Sequence, residues 1–377
     1  MVVMSTTVVP VRSRRDLRRF LALPWSIYSG NPCWVPPLLA EQRRELAVAS
    51  SPDGEASRAL FLALRDRRPA GRIAAVVDRT LNRAKQSQTG YFSRFECVDD
   101  PEVASALFDA AGAWLRERNL LVLKGPVSPE GPHGDDCKGL LIDAFDRPPV
   151  LMTSYNPPYY EGLIEGCGFA KDFDVYAYLL DKDRLFSRDP GKVIEYAQRR
   201  YGFRLDTVKL ANLEDEIRAV KHVLDLAVPA EWPDMIAPSL EELQVMAERM
   251  KPIADPDLVV IARAGDEPVG FGIALPDYNR VLIHLNGRMT PLAILKYLYF
   301  RRRITWARIF ILFVVPAFRK KGVAHAIYYH IFLRGTGKGY THGEGSTIGE
   351  PNTQMRTDIE SIGGQRYKTY RIYRKDL

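Results

Sequence analysis

The residues with the clearest chemical content are Arg319, Lys320 and Lys321, followed at once by Gly322, Val323 and Ala324. If a helix opens at this point, its first N–H groups have no acceptor inside the helix and its dipole presents a positive end. Free donors, that dipole and three adjacent cations together make a seat for a diphosphate. Gly322 and Ala324 are small enough to let a ligand approach the backbone. Such a seat needs a strand before it and a helix after it, and the flanking sequence supplies both. Ile309 to Val315 is an unbroken apolar and aromatic run that reads as a buried strand, and Pro316 to Gly322 reads as the turn. Val323, Ile327 and Ile331, with Ala324, Tyr328 and Phe332, then follow a period near 3.6.

Other residue patterns point to less. Gly335-Thr336-Gly337-Lys338-Gly339 lacks the four-residue gap and the Lys-Ser/Thr pair of a phosphate loop and reads as a helix end and turn. His325 and His330 lie five apart, a spacing that shares no helix face. No Ser-His-Asp arrangement is legible, and the His and Cys spacings suggest no metal site. Cys33, Cys97, Cys137 and Cys167 contain no Cys-x-x-Cys pair, which suits a reducing compartment. A chain of 377 residues with 46% hydrophobic content can fill two ordinary cores, and its net charge of +7 favours anionic partners. The N-terminus lacks the apolar core of a signal peptide and no run is long enough to span a bilayer, so a cytoplasmic protein with no membrane partner is expected.

Along the chain, Thr7–Arg12 alternates like a strand, while Asp16–Tyr28 and Leu39–Ala49 read as helices. Leu60–Arg65 and Gly71–Val77 form a hairpin around Asp66–Ala70. Tyr91–Val98 leads into a helix capped by Asp99 or Asp100 with Pro101 in its first turn. Leu120–Lys124, Pro158–Gly166 and Val175–Leu180 read as strand, helix and strand. Leu258–Asp277 then parallels Leu60–Asp78, and Asn352–Gly364 parallels Asn156–Gly168, so the chain reads as two copies of one fold. The second copy carries an insertion before its basic turn, including a helix near 291–303.

Arg319-x-x-Gly322-x-Ala324 after a strand ending Val-Val-Pro resembles the acyl-CoA loop of the GNAT superfamily of N-acetyltransferases, and the element order of both copies is similar to that fold. The segments PWSIYSGNPCWVPPL, GRIAAVVD, LLIDAFDRPPVLMTSYNPPYY, LPDYN and NGRM, with the ending EPN…ESIGGQRYKTYRIYRK, resemble more narrowly a bacterial tandem-acetyltransferase group. This resemblance implies an α/β (α+β) protein of two tandem GNAT-like domains, each a mixed twisted sheet flanked by helices. Residues 1–185 would form a domain without the acyl-CoA loop and residues 186–377 the domain that has it. It implies acetyl-CoA or another acyl-CoA as co-substrate. Phe313, Val314 and Val315 would pair with pantetheine, a backbone N–H near Val315 would serve the oxyanion, and Asn352 would reach the donor's arm, although Asn352 reads equally as a helix N-cap. The family's acidic Tyr, seven residues after that Asn, is replaced by Ile359 here and by Leu163 in the first copy. Tyr367, Tyr370 and Tyr373 are the available substitutes.

Charge separates the two copies. Where the second offers Arg319-Lys320-Lys321, the first offers Asp99-Asp100-Pro101-Glu102, whose carboxylates oppose a diphosphate and whose proline removes a donor. One donor site per chain is therefore expected, in the C-terminal half. Glu344 is the leading candidate for general base, with His342 and Glu350 nearby in sequence. Candidate acceptor contacts are Asp277, Asn279, Asn286, Arg288, Tyr155 and Tyr159, with His133, Asp135 and Asp136 in the first copy's long loop. Aromatic rings with carboxylates suit a small amine or amino-acid-like acceptor. The expected activity is acyl-CoA-dependent N-acyl transfer. An aminoacyl-tRNA-dependent transferase of the same doubled fold and a non-catalytic CoA-binding protein are the alternatives, and nucleic acid is a partner only under the first of these.

Overall fold

The computed structural model describes residues 6–47, 56–127, 129 and 138–377. The chain divides into two compact units: residues 1–175, 282–297 and 368–377 form the first, and residues 176–281 and 298–367 the second. Its first half runs β1 (Thr6–Pro10), α1 (Arg14–Ile27), α2 (Leu39–Ala47), β2 (Ala56–Arg65), β3 (Arg68–Asp78), α3 (Arg79–Lys85), β4 (Thr89–Cys97), α4 (Pro101–Arg116), β5 (Val122–Gly125), β6 (Leu140–Leu141), α5 (Tyr160–Gly166) and β7 (Ala170–Asp181). Its second half runs α6 (Gly191–Tyr201), β8 (Phe203–Thr207), α7 (Leu213–Ala227), α8 (Leu240–Met250), β9 (Val259–Ala264), β10 (Glu267–Pro276), α9 (Asn279–Leu282), α10 (Pro291–Arg301), β11 (Trp306–Val314), α11 (Val323–Gly337), β12 (His342–Gly349), α12 (Thr353–Ser361) and β13 (Gln365–Asp376).

In the first unit the strands are ordered β1-β2-β3-β4-β5, antiparallel except for the parallel pair β4/β5. The last residues of β13 pair with β5 at Tyr373↔Gly125. In the second unit β12-β11-β10-β9-β8 repeats this arrangement, with β11/β12 the parallel pair. The β2–β3 hairpin is tighter than the sequence suggests. Its strands end at Arg65 and restart at Arg68, because Asp66 and Arg67 both take positive φ, the conformation that matches a two-residue turn to strand twist.

Each sheet is packed by the helix that follows its parting strand. In the first unit Val103, Leu107, Ala111 and Leu115 of α4 are fully buried, and Phe92, Phe108 and Phe169 pack edge to face or tilted against one another. In the second unit Val323, Ile327 and Ile331 of α11 are buried with Val260, Phe271 and Leu312. Gly272 lets α11 sit close, since a Cβ there would come 2.5 Å from Ile327 Cγ2. Pro101 opens α4 with Asp100 Oδ1 accepting the Glu102 N–H at 3.0 Å, and Ser239 with Glu242 forms a reciprocal capping box on α8. Among the described residues no helix is long and apolar enough to cross a membrane.

Candidate active site

The second unit's sheet opens where its parallel pair ends. β11 and β12 are in register from Trp306↔His342 to Ile309↔Gly345 and no further, although β11 continues to Val314 and β12 to Gly349. The β10/β11 register also shifts here, from Ile273↔Ile311 to Ala274↔Ile309, which leaves Phe310 as an extra residue in β11. A bulge bends a strand, so the extra residue turns β11 away from β12. Val315 donates its N–H to Val269 O at 3.0 Å, and backbone groups alternate sides along a strand. Phe313 therefore also faces β10, while Leu312 presents N–H and C=O, and Val314 its N–H, to the open edge. Of the backbone groups expected there from the sequence, only Val314's faces the opening; Val315's N–H is already bonded.

The edge leads directly to the basic turn. Gly322 stands at the α11 N-cap with φ +81°, no side chain caps that helix among the described residues, and Val323 and Ala324 follow as its first residues. A Cβ on Gly322 would be strained at that φ and 3.2 Å from Ala197 Cβ. Arg319 braces the loop: its Nη2 donates to Ala227 O at 2.9 Å and its Nε to Val314 O at 3.3 Å. Lys320 takes positive φ and is exposed, and the Lys321 ammonium lies 4.7 Å from the Phe318 ring centroid. Of the three expected cations, Arg319 is thus engaged in holding the turn's shape, while Lys320 and Lys321 make neither of its backbone contacts.

On the opposite face of the sheet from α11, at the point where the strands part, a buried polar chain lies between β11 and β12. Arg308 donates through Nε to Ser346 Oγ at 3.0 Å and through Nη2 to Ser346 O at 3.1 Å. Ser346 Oγ donates to Glu344 Oε1 at 2.5 Å, and Tyr367 OH donates to Glu344 Oε2. Glu344 is completely buried while Tyr367 is only partly so. Among the expected catalytic residues the structure thus brings Glu344 and Tyr367 together. Tyr370, three residues along the same strand and so on its other face, is fully buried and pairs in register with Leu141. Tyr373 directs its hydroxyl toward Glu161 and Glu165 of the first unit, each at 3.3 Å. Arg308 and Ser346 escaped sequence reasoning because Arg308 precedes the apolar run Ile309–Val315 from which the strand was read, and Ser346 lies in the polar β12, HGEGSTIG, whose pairing with β11 the sequence does not show. Ile359, where the family places a Tyr, is wholly buried with Tyr178, Leu180 and Ile348, and a Cβ on Gly345 would lie 2.2 Å from its Cδ1.

The remaining candidates are placed as follows. Asn352 caps α12, its Oδ1 accepting the Met355 N–H at 3.2 Å. Asp277 is fully buried and builds a turn, accepting the Asn279 N–H at 3.2 Å and pairing with Arg280 at 3.1 Å. Asp277 donates its N–H to Trp306 O at 2.9 Å, at the end of β11 away from Val314. His342 stacks on Trp306, with centroids 5.0 Å apart. In the first unit Asn286 accepts from Trp25 Nε1 at 2.9 Å, Arg288 is exposed, and Tyr155 OH donates to Phe145 O at 2.9 Å. His133, Asp135 and Asp136 lie outside the described residues.

The first unit repeats the opening and fills it from within. β4 and β5 are in register only to Tyr91↔Lys124, and Val98 donates to Ala70 O as Val315 does to Val269 O. Cys97, equivalent to Val314, donates its N–H to Tyr160 OH at 2.8 Å and accepts from Tyr159 OH at 2.8 Å. Tyr160 and Tyr28 both donate to Glu96 Oε2, and Arg72 lies 3.5 Å from Oε1. Burial and the Glu96 charge hold both phenols well above their usual range. The acids at the start of α4 are engaged by Arg65, which contacts Asp100 and lies 3.3 Å from Glu102. Tyr159 is therefore a structural plug, and the second copy has Met355 and Arg356 where the first has Tyr159 and Tyr160.

One more cleft lies on the α11 side of the sheet, beneath the C-terminal half of that helix and beside the paired starts of β11 and β12. It is mainly apolar, and Ile309, Tyr328, Ile331, Phe332, Tyr340 and Ile362 are among its walls.

A doubled mixed sheet with a parting strand in each half, followed in the second by an uncapped, basic helix start, defines the GNAT acyltransferase fold, in tandem. Solved structures agree. The chain superposes at TM-score 0.57 and 11% identity on a tandem GNAT protein from the clavulanic acid biosynthesis pathway, covering 99% of this chain and 98% of that one. It superposes at TM-score 0.61 and 15% identity on a fungal multidomain β-N-acetylglucosaminidase with a GCN5-related glucosamine N-acetyltransferase region, covering 100% of this chain but only 38% of that one. No family model matches the chain. A Caulobacter vibrioides protein named bacterial ceramide synthase is 30% identical over 386 residues, covering 98% of this chain and 97% of its own, and the chain belongs to that protein's family within the tandem GNAT group.

Proposed function

We propose that this protein is an acyl-CoA-dependent N-acyltransferase with its donor site in the second unit. The observation that carries the proposal is the open edge of Leu312 and Val314 leading into the uncapped start of α11. An extended pantetheine arm has amides to pair with that edge, and its diphosphate would meet the α11 amides, Lys320 and Lys321. Transfer then requires the acceptor nitrogen to attack the thioester carbonyl. The C–N bond forms as the C–S bond breaks, the nitrogen gives up a proton, and the thiolate takes one. The Leu312 or Val314 N–H is the proposed oxyanion donor. Tyr367, backed by the buried Glu344 carboxylate, is the proposed group for moving a proton, reached from the face opposite the donor.

For the acceptor, the relative's name points to the amine of a long-chain amino alcohol rather than a small polar amine. A ceramide carries a fatty acyl group on its amide, so the same name supports a donor longer than acetyl-CoA. Use of acyl-CoA fits a cytoplasmic protein. The second reading, a CoA-binding protein without turnover, draws on the buried Ile359 in place of the family's acid.

Two measurements separate these readings. CoA at 100 times its dissociation constant should stabilise the fold by about 2.7 kcal/mol. Release of free thiol is then followed with acetyl-CoA and palmitoyl-CoA against sphinganine and a panel of small amines. Thiol release that depends on sphinganine and favours the longer donor supports the proposal. Release only with small amines moves the acceptor assignment, and CoA binding with no release for any pair establishes the second reading.

A further inference from the structure

The insertion before the basic turn contributes α10, PLAILKYLYFR, and its surface is unlike that of any other helix described here. Leu292, Ile294, Leu295, Leu298 and Tyr299 are each 45–65% exposed, and Met289 just before the helix is 49% exposed. Among the described residues no other element exposes as many large apolar side chains. At about 100° per residue these five fall on one continuous arc of roughly 160°. Ala293, on the far side of the helix, is buried. Lys296 borders the arc on one flank and Arg301 on the other, and Arg302 and Arg303 follow at the C-terminal end. The Arg303 guanidinium stands 4.0 Å from the Tyr299 ring centroid, which keeps it beside the apolar face.

Charge identifies the occupant. From Tyr278 to Gly343 the sequence contains no Asp or Glu at all, so nothing on α10 or on its sequence flanks opposes an anionic surface. Five apolar side chains on one arc, a phenol among them and cations along the border, match the demands of a bilayer interface: the apolar arc enters the acyl boundary while Lys and Arg reach up to phosphates. A second copy of the chain fits less well, because a twofold contact would set this acid-free stretch against itself and leave its cations no carboxylate from that stretch to pair with. The sequence expectation of no membrane partner rested on the lack of a spanning run, and a helix lying flat needs none.

We propose that α10 docks this protein on an anionic lipid bilayer, with the arc Leu292–Leu295–Leu298–Tyr299 inserted and Lys296, Arg302 and Arg303 on lipid phosphates. The proposal goes beyond the reading of the donor site and does not depend on it.

The test is co-sedimentation of the full chain with phosphatidylglycerol/phosphatidylcholine vesicles and with pure phosphatidylcholine vesicles, at low and high salt. Binding to the anionic vesicles should be at least about tenfold tighter than to neutral ones and should weaken with salt, since each cation near an anionic surface contributes on the order of a factor of five. Leu292→Glu/Leu295→Glu/Leu298→Glu should abolish binding, and Arg302→Glu/Arg303→Glu should lower it at least about tenfold. Both variants should keep the wild-type circular dichroism and CoA affinity, which keeps a folding defect distinct from a docking defect. Absence of wild-type binding, or undiminished binding by the triple variant, would overturn the proposal. So would light scattering that shows a wild-type dimer and a monomeric triple variant, because the arc would then be covered by a second copy.

Discussion

Reversing the two lysines of the basic turn, Lys320→Glu with Lys321→Glu, isolates the electrostatic part of donor binding. Arg319 is left intact because its guanidinium spans Val314 O and Ala227 O and its loss would deform the turn as well as its charge. An ammonium and a phosphate at exposed contact distance attract by about 1 kcal/mol in a water-like dielectric. Reversal removes that attraction and adds a repulsion of the same order, so two substitutions should cost about 4 kcal/mol at low salt, and roughly 2 kcal/mol once counterions screen over about 8 Å. CoA affinity should therefore fall at least ~30-fold near physiological salt and further as salt is lowered. Isothermal titration of CoA at two salt concentrations reads both numbers. Arg319→Lys is the companion variant: it preserves charge but not the two-carbonyl span, and should weaken binding with little change in salt slope. A double variant that binds CoA within twofold of wild type, with an unchanged melting curve, would remove the diphosphate from this turn.

Four further outcomes follow from other contacts. Glu344→Gln cannot accept from both Ser346 and Tyr367 through its amide nitrogen, so it should lose about 1–3 kcal/mol of stability and at least ~10-fold in turnover; full turnover from pH 6 to 9 would clear Glu344 of any part in proton movement. Gly345→Ala drives a methyl into Ile359 Cδ1 and should cost about 1–3 kcal/mol in urea unfolding, with Ile359→Val restoring part of it; the absence of any rescue would mean the strain lies elsewhere. Asn352→Ala should cost about 1 kcal/mol as a lost cap yet leave CoA affinity within threefold, and a larger drop in affinity would assign Asn352 to the donor instead. Burial, with Arg334 nearby, lowers the His330 pKa, and among the described residues its Nε2 has no hydrogen-bond partner. The unfolded chain then takes up this proton at higher pH than the folded one, so stability should fall as pH drops through about 6.5, and His330→Phe should flatten that slope; an unchanged slope would place the proton uptake at another group.

How much of this was legible in the sequence depended on which force set each element. Buried strands and amphipathic helices announce themselves through hydrophobic period, which is why β11, α11 and the repeated hairpins were readable and why the tandem GNAT fold followed from their order. The turn's electrostatic contrast was readable too, since it consists of charge signs beside a helix start. What periodicity hides is pairing. The end of the β11/β12 register, the extra residue Phe310 and the commitment of Val315's N–H to Val269 are decided by strand geometry, so the edge-facing groups turned out to be those of Leu312 and Val314. Burial is hidden in the same way. Asp277 and Tyr159 look like ligand contacts because they are polar or aromatic and sit in loops, yet Asp277 spends its carboxylate on the Asn279 N–H and Arg280, and Tyr159 its hydroxyl on Cys97 O. α3 was missed because seven residues starting at Arg79 carry too little pattern, although Asp78 caps them through Leu81 N at 2.8 Å.

The contrast between the two parted strand pairs bears on how the protein behaves when purified. Cys97's amide is sealed by tyrosines of its own chain, whereas Leu312 and Val314 turn theirs toward a gap across which, among the described residues, β12 no longer pairs. Unpaired strand backbone is a template for foreign strands, and clumping is its usual outcome. Coenzyme lying in that gap would act as a surrogate strand, so preparations stripped of it should be the ones that precipitate on storage.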